Sequence, residues 1–504
     1  MNSFKAALAG DPDSALVAYQ SYRQGLQGGD AGLAVDSARI LDAMEMLPRD
    51  GHILLFSDAV GRQDWKQASA LLDRFTDNNL VFLTPLLRSW MSVERGPYVP
   101  PVTKPGQEQD QLATRYVAEN HALQMLARGK LDDAIEAAKP LVTVKASDVG
   151  AFRLVMAQGL AAAGRRDDAL ALLPDNDPDF ATARELIRSG RRNIGDRMDV
   201  SKGVSWLFYR LADDLAVGGG QSMALNFARF AQFAEPGSAL ADLCAARQLL
   251  ANGDPEASLA ELGKIPVGSA LAAAGDHIRV TALERSGQGD AAVALARTIA
   301  GRDGAGGAAY IQFGNLLSRQ KLWMQAAQAF AAAEKSYGAD GAPWTLYLLW
   351  GSALERGGNW AEAEPLLQKA LALKPDEPVL LNYLGYAQIE RRENIPGALT
   401  MLKKAQSLRP DDAAIADSFG WAQYLSGDPR AAVPMLEKAV AGAPDDPTVN
   451  EHLGDVLWSV GRKFEARYAW RAAKLIVDEK EDGKARSRLS RKIETGMTVE
   501  THAP

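Results

Sequence analysis

Five glycines in the last third of the chain, Gly314, Gly351, Gly385, Gly420 and Gly454, each follow a large apolar residue and lie 37, 34, 35 and 34 residues apart. Twelve or thirteen residues after each comes an alanine (Ala326, Ala363, Ala398, Ala432, Ala466). Four further on sits a bulky residue (Phe330, Leu367, Leu402, Leu436, Trp470), and three beyond that another alanine (Ala333, Ala370, Ala405, Ala439, Ala473). Spacings of four and then three residues mark one face of a helix. A period near 34 carried by several positions at once restricts the chain to an array. Each unit is a helix pair that cannot bury its apolar stripe alone, and neighbours stack to make a continuous core. Gly and Ala at the contacts let the backbones approach, and the bulky residue fills the space beside them.

The punctuation agrees with helix pairs. Pro375-Asp376-Glu377-Pro378, Pro410-Asp411-Asp412 and Pro444-Asp445-Asp446-Pro447 stop one helix and place acidic groups at the N-terminus of the next, and Asp428-Pro429 does the same inside a unit. Pro365 and Pro434 fall early in a second helix, where a missing N–H has no intrahelical partner. Upstream the period weakens. Ala212, Gly219, Ala224, Ala228 and Pro236 fit one unit. Gly253 with Leu262, Gly287 with Ala292 and Ala296, Gly129 with Ala134, and Gly164 with Ala169 and Leu173 suggest four more. Ala34-Ala38 and Trp65-Ala68 mark two degenerate ones.

This pattern resembles the tetratricopeptide repeat. The resemblance implies an all-α fold, a right-handed superhelical solenoid of about ten or eleven helix pairs. The expected organisation is degenerate helical repeats over 1–95, a Pro-rich loop over 96–110 and repeats over 111–175. A basic irregular connection follows over 176–202, then repeats over 203–300, the well-formed array over 308–477 and a charged capping helix and tail over 478–504. The Pro-rich loop carries Pro97, Pro100, Pro101 and Pro105. The connection carries Pro174, Pro178, Arg184, Arg188, Arg191, Arg192 and Arg197, with a helix expected from Phe180 to Ser189. Its arginines read as a solvated face or as a contact for an acidic partner. Asp478 to Lys492 reads as a solvated capping helix over the last apolar face, or as a segment that docks a partner.

Composition narrows the function. A chain of 504 residues with net charge −7 is a poor partner for phosphate backbones, so no nucleic-acid partner is expected. One cysteine, Cys244, excludes an internal disulfide framework, and it reads as a small buried apolar residue. His52, His121, His277, His452 and His502 have no partner at helical spacing to share a metal, so no metal or cofactor is expected. Gly301–Gly307 is glycine-rich but follows a helical repeat and not a strand, so it reads as a connection and not a dinucleotide loop. No catalytic motif remains, and a non-enzymatic role is expected. No stretch reaches the length of a transmembrane span; the longest apolar candidate is Trp344 to Leu354. The first residues contain no apolar signal core. The expected localisation is therefore cytoplasmic, or envelope if an export segment has been removed ahead of Met1.

In repeats of the kind this chain resembles, the first helix of each unit lines a concave groove. Groove positions lie three before the Gly, one after it, and four or five after it. They give Ile311, Asn315, Ser318 and Arg319; Leu348, Ser352, Glu355 and Arg356; Asn382 and Tyr386; Asp417, Trp421, Tyr424 and Leu425; and Glu451, Asp455 and Trp458. From these, the expected partner-binding set is Asn315, Arg319, Ser352, Arg356, Asn382, Tyr386, Asp417, Trp421, Tyr424, Glu451, Asp455 and Trp458. Aromatics beside polar groups are typical anchors of a protein interface. Trp421 and Trp458 read equally well as packing against a neighbouring unit. Ile311, Leu348, Asp417 and Glu451 stand where capture of a C-terminal carboxylate would need polar or basic groups, so that specialisation is not expected.

The segments PVLLNYLGYAQIERRENIPGALTMLKKA, DSFGWAQYLSGDPRAAVPMLEKAVA and DPTVNEHLGDVLWSVGRKFEARYAWRAAKL, with the extra residue between Gly385 and Ala398, resemble large tetratricopeptide proteins of proteobacterial envelopes. The likeness covers roughly residues 200 to 477 well and the N-terminal part loosely. It implies export, often as an outer-membrane lipoprotein. One branch of that family consists of adaptors that bind a periplasmic C-terminal processing protease and present cell-wall hydrolases to it. The alternatives are a cytoplasmic scaffold or peptide-sensing regulator, and an accessory domain of a larger enzyme.

Overall fold

The computed structural model describes residues 2–11, 13–75, 83–94, 96–102, 111–143, 149–175, 177, 180–190, 195, 197–302, 305–338, 341–477 and 483–497. Among these every regular element is a helix, and the chain divides into two compact units, Met1–Gly306 and Gly307–Pro504. No helix among the described residues is long and apolar enough to cross a membrane.

The first unit contains α1 (Asn2–Gly10), α2 (Ala15–Gly28), α3 (Ala31–Ala43), α4 (Gly51–Gly61), α5 (Trp65–Leu72), α6 (Leu83–Glu94), α7 (Gln111–Ala127), α8 (Leu131–Thr143) and α9 (Val149–Ala162). It continues with α10 (Arg166–Ala171), α11 (Ala181–Ser189), α12 (Val200–Val217), α13 (Gln221–Ala234), α14 (Ala239–Ala251), α15 (Pro255–Leu262), α16 (Ala272–Arg285) and α17 (Gly289–Ala300). The second contains α18 (Gly307–Arg319), α19 (Trp323–Lys335), α20 (Trp344–Arg356), α21 (Trp360–Leu373), α22 (Pro378–Glu390), α23 (Ile395–Leu408), α24 (Ala413–Leu425), α25 (Pro429–Gly442), α26 (Pro447–Ser459), α27 (Lys463–Ile476) and α28 (Gly483–Thr495).

Most helices pair with their sequence neighbour through a short turn, and side-chain caps start many of them. Asp30, Asp64, Asp199, Asp254, Asp412, Asp428 and Asp446 each accept a backbone N–H of the first turn. The turn within a pair needs one left-handed residue, usually glycine, as at Gly358, Gly427 and Gly461. Lys321 (φ 61°) and Arg392 (φ 58°) hold the same conformation with a side chain, which is strained for any residue but glycine.

In the first unit the helices do more than stack on their neighbours. The α12–α13 hairpin packs against α2, α4, α6 and α7, which end between 73 and 172 residues before it begins. Gly203 abuts the indole of Trp90, and Gly61 abuts the Phe233 carbonyl, so both contacts require a missing Cβ. Polar ties fix the hairpin. The Arg229 guanidinium, 1% exposed, donates to the Gln27 carbonyl (2.9 Å) and to Glu261 (2.8 Å). Asn226 donates to Asp50 (3.1 Å), Ser201 to the Val60 carbonyl (3.2 Å), and Arg115 and Tyr116 to Asp214 (2.5 Å each). Accordingly, α12 is buried without interruption from Gly203 to Ala212, as expected of a helix covered on every side.

The Pro-rich stretch over 96–102 is strapped down. Val99 bonds Ser89 and Ser92, the Tyr98 hydroxyl donates to Gln124 (2.9 Å), and Arg128 lies 4.0 Å over the Tyr98 ring. Pro105 lies outside the described residues. In the basic connection, α11 takes the expected place. Arg184 departs from the reading of a solvated face: it is buried and donates to the carbonyls of Pro174, Asp175 (3.1 Å) and Asp177 (3.0 Å). Buried carbonyls without a helix or sheet need such a donor. Pro178, Arg191 and Arg192 lie outside the described residues, as do residues 303 and 304 and His502. Cys244 is fully buried, and burial pushes its thiol well above the usual range.

Candidate functional site

In the second unit the first helices of successive pairs, α20, α22, α24 and α26, share one face. The repeating glycines set their distance from the second helices. A Cβ at Gly351, Gly385 or Gly420 would press on Leu367, Leu402 or Leu436, and one at Gly454 on the Trp470 indole. On the opposite side of these helices opens a cavity of about 850 Å³. It is lined from α20 by Glu355 and Arg356, from α22 by Asn382, Tyr383, Tyr386, Glu390 and the adjoining Arg391, from α24 by Asp417 and Ser418, and at the α25–α26 turn by Asp446.

A polar network organises the walls. Arg391 pairs with Glu355 (2.6 Å) and lies 4.3 Å over the Trp360 ring. The Tyr383 hydroxyl donates to Glu355 (3.1 Å) and lies 3.0 Å from Ser352 Oγ. The Trp421 indole N–H donates to Glu390 Oε1 (2.6 Å), and the ring stacks on His452 at 4.0 Å and 10°. His452 Nδ1 lies 3.0 Å from both Asp417 oxygens. Burial pushes this imidazole down, but Asp417, helped by Asp455 and Glu390, outweighs burial and raises it above its usual value. Burial, with Glu390 and Asp417 nearby, pushes the Tyr386 phenol up. The Asn382 side-chain oxygen is buried with no hydrogen-bond partner among the described residues.

Of the residues expected to bind a partner, Arg356, Asn382, Tyr386 and Asp417 line this cavity, and Ser352 and Trp421 stand behind its walls, bonded to residues that do. Trp421 thus both packs on the next unit, through His452, and holds a cavity carboxylate. Asn315, half-buried, and Arg319, exposed, lie on α18 outside it. Tyr424 is half-buried, 5.1 Å from Trp421.

Glu451, Asp455 and Trp458 lie on the corresponding face of α26, where α28 covers them. Lys492, 4% exposed, bonds Glu451 (2.6 Å) and Asp455 (2.7 Å), and Arg488 forks onto Glu451 (2.8 Å). Burial pushes Glu451 up, yet the two cations outweigh it and hold the carboxyl at about 2. Asp455 shares Lys492 with Glu451, and burial keeps it above the usual carboxylate range. Trp458 packs on Trp470 (5.4 Å), and Gly496, just past α28, abuts its ring. The C-terminal helix is therefore docked by its own cations and is not merely a solvated cap; residues 478–482 lie outside the described residues.

Sequence reasoning missed Tyr383, Ser418 and His452, which share one position, two before the repeat glycine. That position turns toward the preceding first helix: Tyr383 meets Ser352 and Glu355 on α20, and His452 meets Asp417 and Trp421 on α24. Glu390 lies five after Gly385 and obeyed the spacing already in use. Among the described residues no group of His, Cys, Asp or Glu could hold a metal ion.

The model of the tetratricopeptide repeat family matches residues 311–378, 348–413 and 418–477. Among solved structures, the chain is similar to PilF of Pseudomonas aeruginosa, at 18% identity over 39% of this chain and 94% of that one, with a TM-score of 0.32. It is also similar to TTC0263, a thermophilic tetratricopeptide protein of Thermus thermophilus (20% identity, 36% and 97% covered, TM-score 0.32). A third likeness is to MamA of Desulfovibrio magneticus RS-1 (17% identity, 35% and 97% covered, TM-score 0.30). No curated protein matches. The chain is an all-helical protein carrying tetratricopeptide repeats over residues 311–477, a module that generally mediates protein–protein interaction.

Proposed function

We propose that this chain is a non-enzymatic protein–protein interaction scaffold that takes an extended peptide segment of its partner in the cavity of the second unit. The observation that carries this reading is the cavity itself. It is of about 850 Å³, draws its lining from four successive repeats, and is walled by tyrosines with polar groups between them, the mixture expected of a peptide groove. In the first unit, by contrast, the α12–α13 hairpin already fills the face between α2, α4, α6 and α7. A partner therefore has the second unit's groove open to it.

The finer reading is an envelope adaptor that brings a periplasmic protease or cell-wall hydrolase together with its substrates. The resemblance of residues 200 to 477 to envelope repeat proteins supports it. Tethering two partners on one scaffold raises their effective concentration without new chemistry. The test is affinity capture by the full chain and by an Asn382→Ala, Tyr386→Ala variant from separate envelope and cytosolic fractions. A periplasmic protease or hydrolase captured by the first and lost by the second supports the adaptor. Partners drawn from the cytosol alone replace it with a cytoplasmic scaffold. Equal capture by both chains moves the site away from the groove.

A further inference from the structure

The cavity's charges are unevenly matched. Arg391 is committed to Glu355 and to the Ala387 carbonyl, Asp417 to His452, and Arg356, the other arginine of the lining, lies 5.2 Å over the Trp323 ring. Glu390 makes no ion pair with lysine or arginine among the described residues, and it adds to the field that raises His452. One of its oxygens is fixed by the Trp421 indole N–H, and the other has no hydrogen-bond partner there. Beside it stands Tyr386, four residues earlier on α22 and so on the same helix face, its phenol already influenced by the negative charge of Glu390 and Asp417. A carboxylate held in place by a neighbour, next to an aromatic ring and within a cavity, suits one kind of guest: a cation that makes a charge-assisted bond to the oxygen and lies on the ring face.

Resting on the peptide-groove reading above, we propose that the groove selects segments carrying a basic side chain, lysine or arginine, which seats against Glu390 and Tyr386. The Asn382 side chain, on the same helix and lining the same cavity, contacts the backbone of the same segment. The indole of Trp421 acts as a positioning group, since it touches Glu390 and not the guest.

The experiment is selection of a random linear peptide library, displayed on phage, against the full chain and in parallel against Glu390→Gln. The glutamine keeps an oxygen for the Trp421 N–H and removes only the charge. The expected result is enrichment of lysine or arginine by the full chain and its disappearance with the variant. Synthetic copies of the selected peptides should lose affinity about ten- to a hundred-fold when the basic residue becomes norleucine or when Glu390→Gln is used. Peptides that bind both chains equally, or that carry no excess of basic residues, overturn the charge preference and leave the groove reading standing. Basic peptides whose binding survives Asn382→Ala, Tyr386→Ala show that the site lies elsewhere. No enrichment of any peptide overturns both.

Discussion

Lys492→Met tests whether the end of the second unit is held by its ion cluster. The lysine is 4% exposed and sits 2.6 Å from Glu451 and 2.7 Å from Asp455, both themselves buried. Methionine keeps most of the apolar stem, so the change removes charge more than volume. Deleting one partner of a buried pair costs about 3–5 kcal/mol, because the other is left buried without a counter-charge. Two features place this site at the lower end. Arg488 stays on Glu451, and Asp455 is already pushed toward its neutral form. A loss of about 3 kcal/mol corresponds to a roughly 150-fold larger undocked population of α28. Repeat arrays transmit little beyond the nearest neighbour, so the loss should be local. Hydrogen exchange at neutral pH should show faster amides in 485–495 and unchanged ones in α24 and α25. A second variant adding Glu451→Gln and Asp455→Asn removes the stranded charges and should recover most of the loss. Protection of α28 within about three-fold of the parent in Lys492→Met would refute the reasoning, since about 0.6 kcal/mol is far below the cost of a stranded buried charge.

Three further outcomes follow from the same geometry. Arg229→Met should lower the melting midpoint of the first unit sharply, by about 3–5 kcal/mol of stability, since Glu261 and the Gln27 carbonyl lose a buried partner; calorimetry in which only the second unit shifts would contradict it. Arg392→Gly should stabilise the second unit by about 1 kcal/mol by relieving a left-handed residue, as read from denaturant midpoints; destabilisation would show that the side chain contributes more than the strain costs. His452 should titrate above its ordinary 6.5 when followed by NMR, and Asp417→Asn should bring it down. The folded-state value is raised, so its stabilising contribution is complete below pH 6.5 and fades as pH rises through the elevated midpoint. A midpoint below 6.5 would mean that burial wins over Asp417.

The second unit was legible in the sequence because its determinants are local. Gly385 meets Leu402 and Ala398, and Gly420 meets Leu436, all within about half a period, so one register of glycine, alanine and bulky residues sets the helix contacts. Half of the cavity was legible for the same reason, as Asn382, Tyr386 and Asp417 show. His452 was not, because a histidine alone carries no spacing signal; its meaning comes from Asp417 and Trp421, one repeat away. The charged run after residue 483 displayed its cations plainly, but that Lys492 reaches back 41 residues to Glu451 depends on the angle at which α28 docks. The filling of the first unit's inner face was the least visible. Arg229 meets Gln27 across 202 residues, and no periodicity reports a contact at that distance. The run Trp206 to Tyr209, resumed at Leu211 after Arg210, did carry a hint, since a helix with one buried face does not need four consecutive large apolar residues.

The α12–α13 hairpin also has a consequence for how the protein is made. Helices α2, α4 and α6 leave the ribosome with their inner faces bare, and the hairpin that covers them is complete only at residue 234, about 140 residues after α6 ends. At about 5–20 residues per second that interval lasts on the order of ten seconds or longer, against microseconds for the helices themselves. The nascent N-terminal segment therefore spends its first seconds exposing the surface that later becomes its core, whereas each repeat of the second unit meets its neighbour as soon as it is synthesised. Synonymous changes that slow translation between codons 95 and 234 should lengthen that window and favour aggregation of the nascent chain, while equal slowing after codon 307 should not.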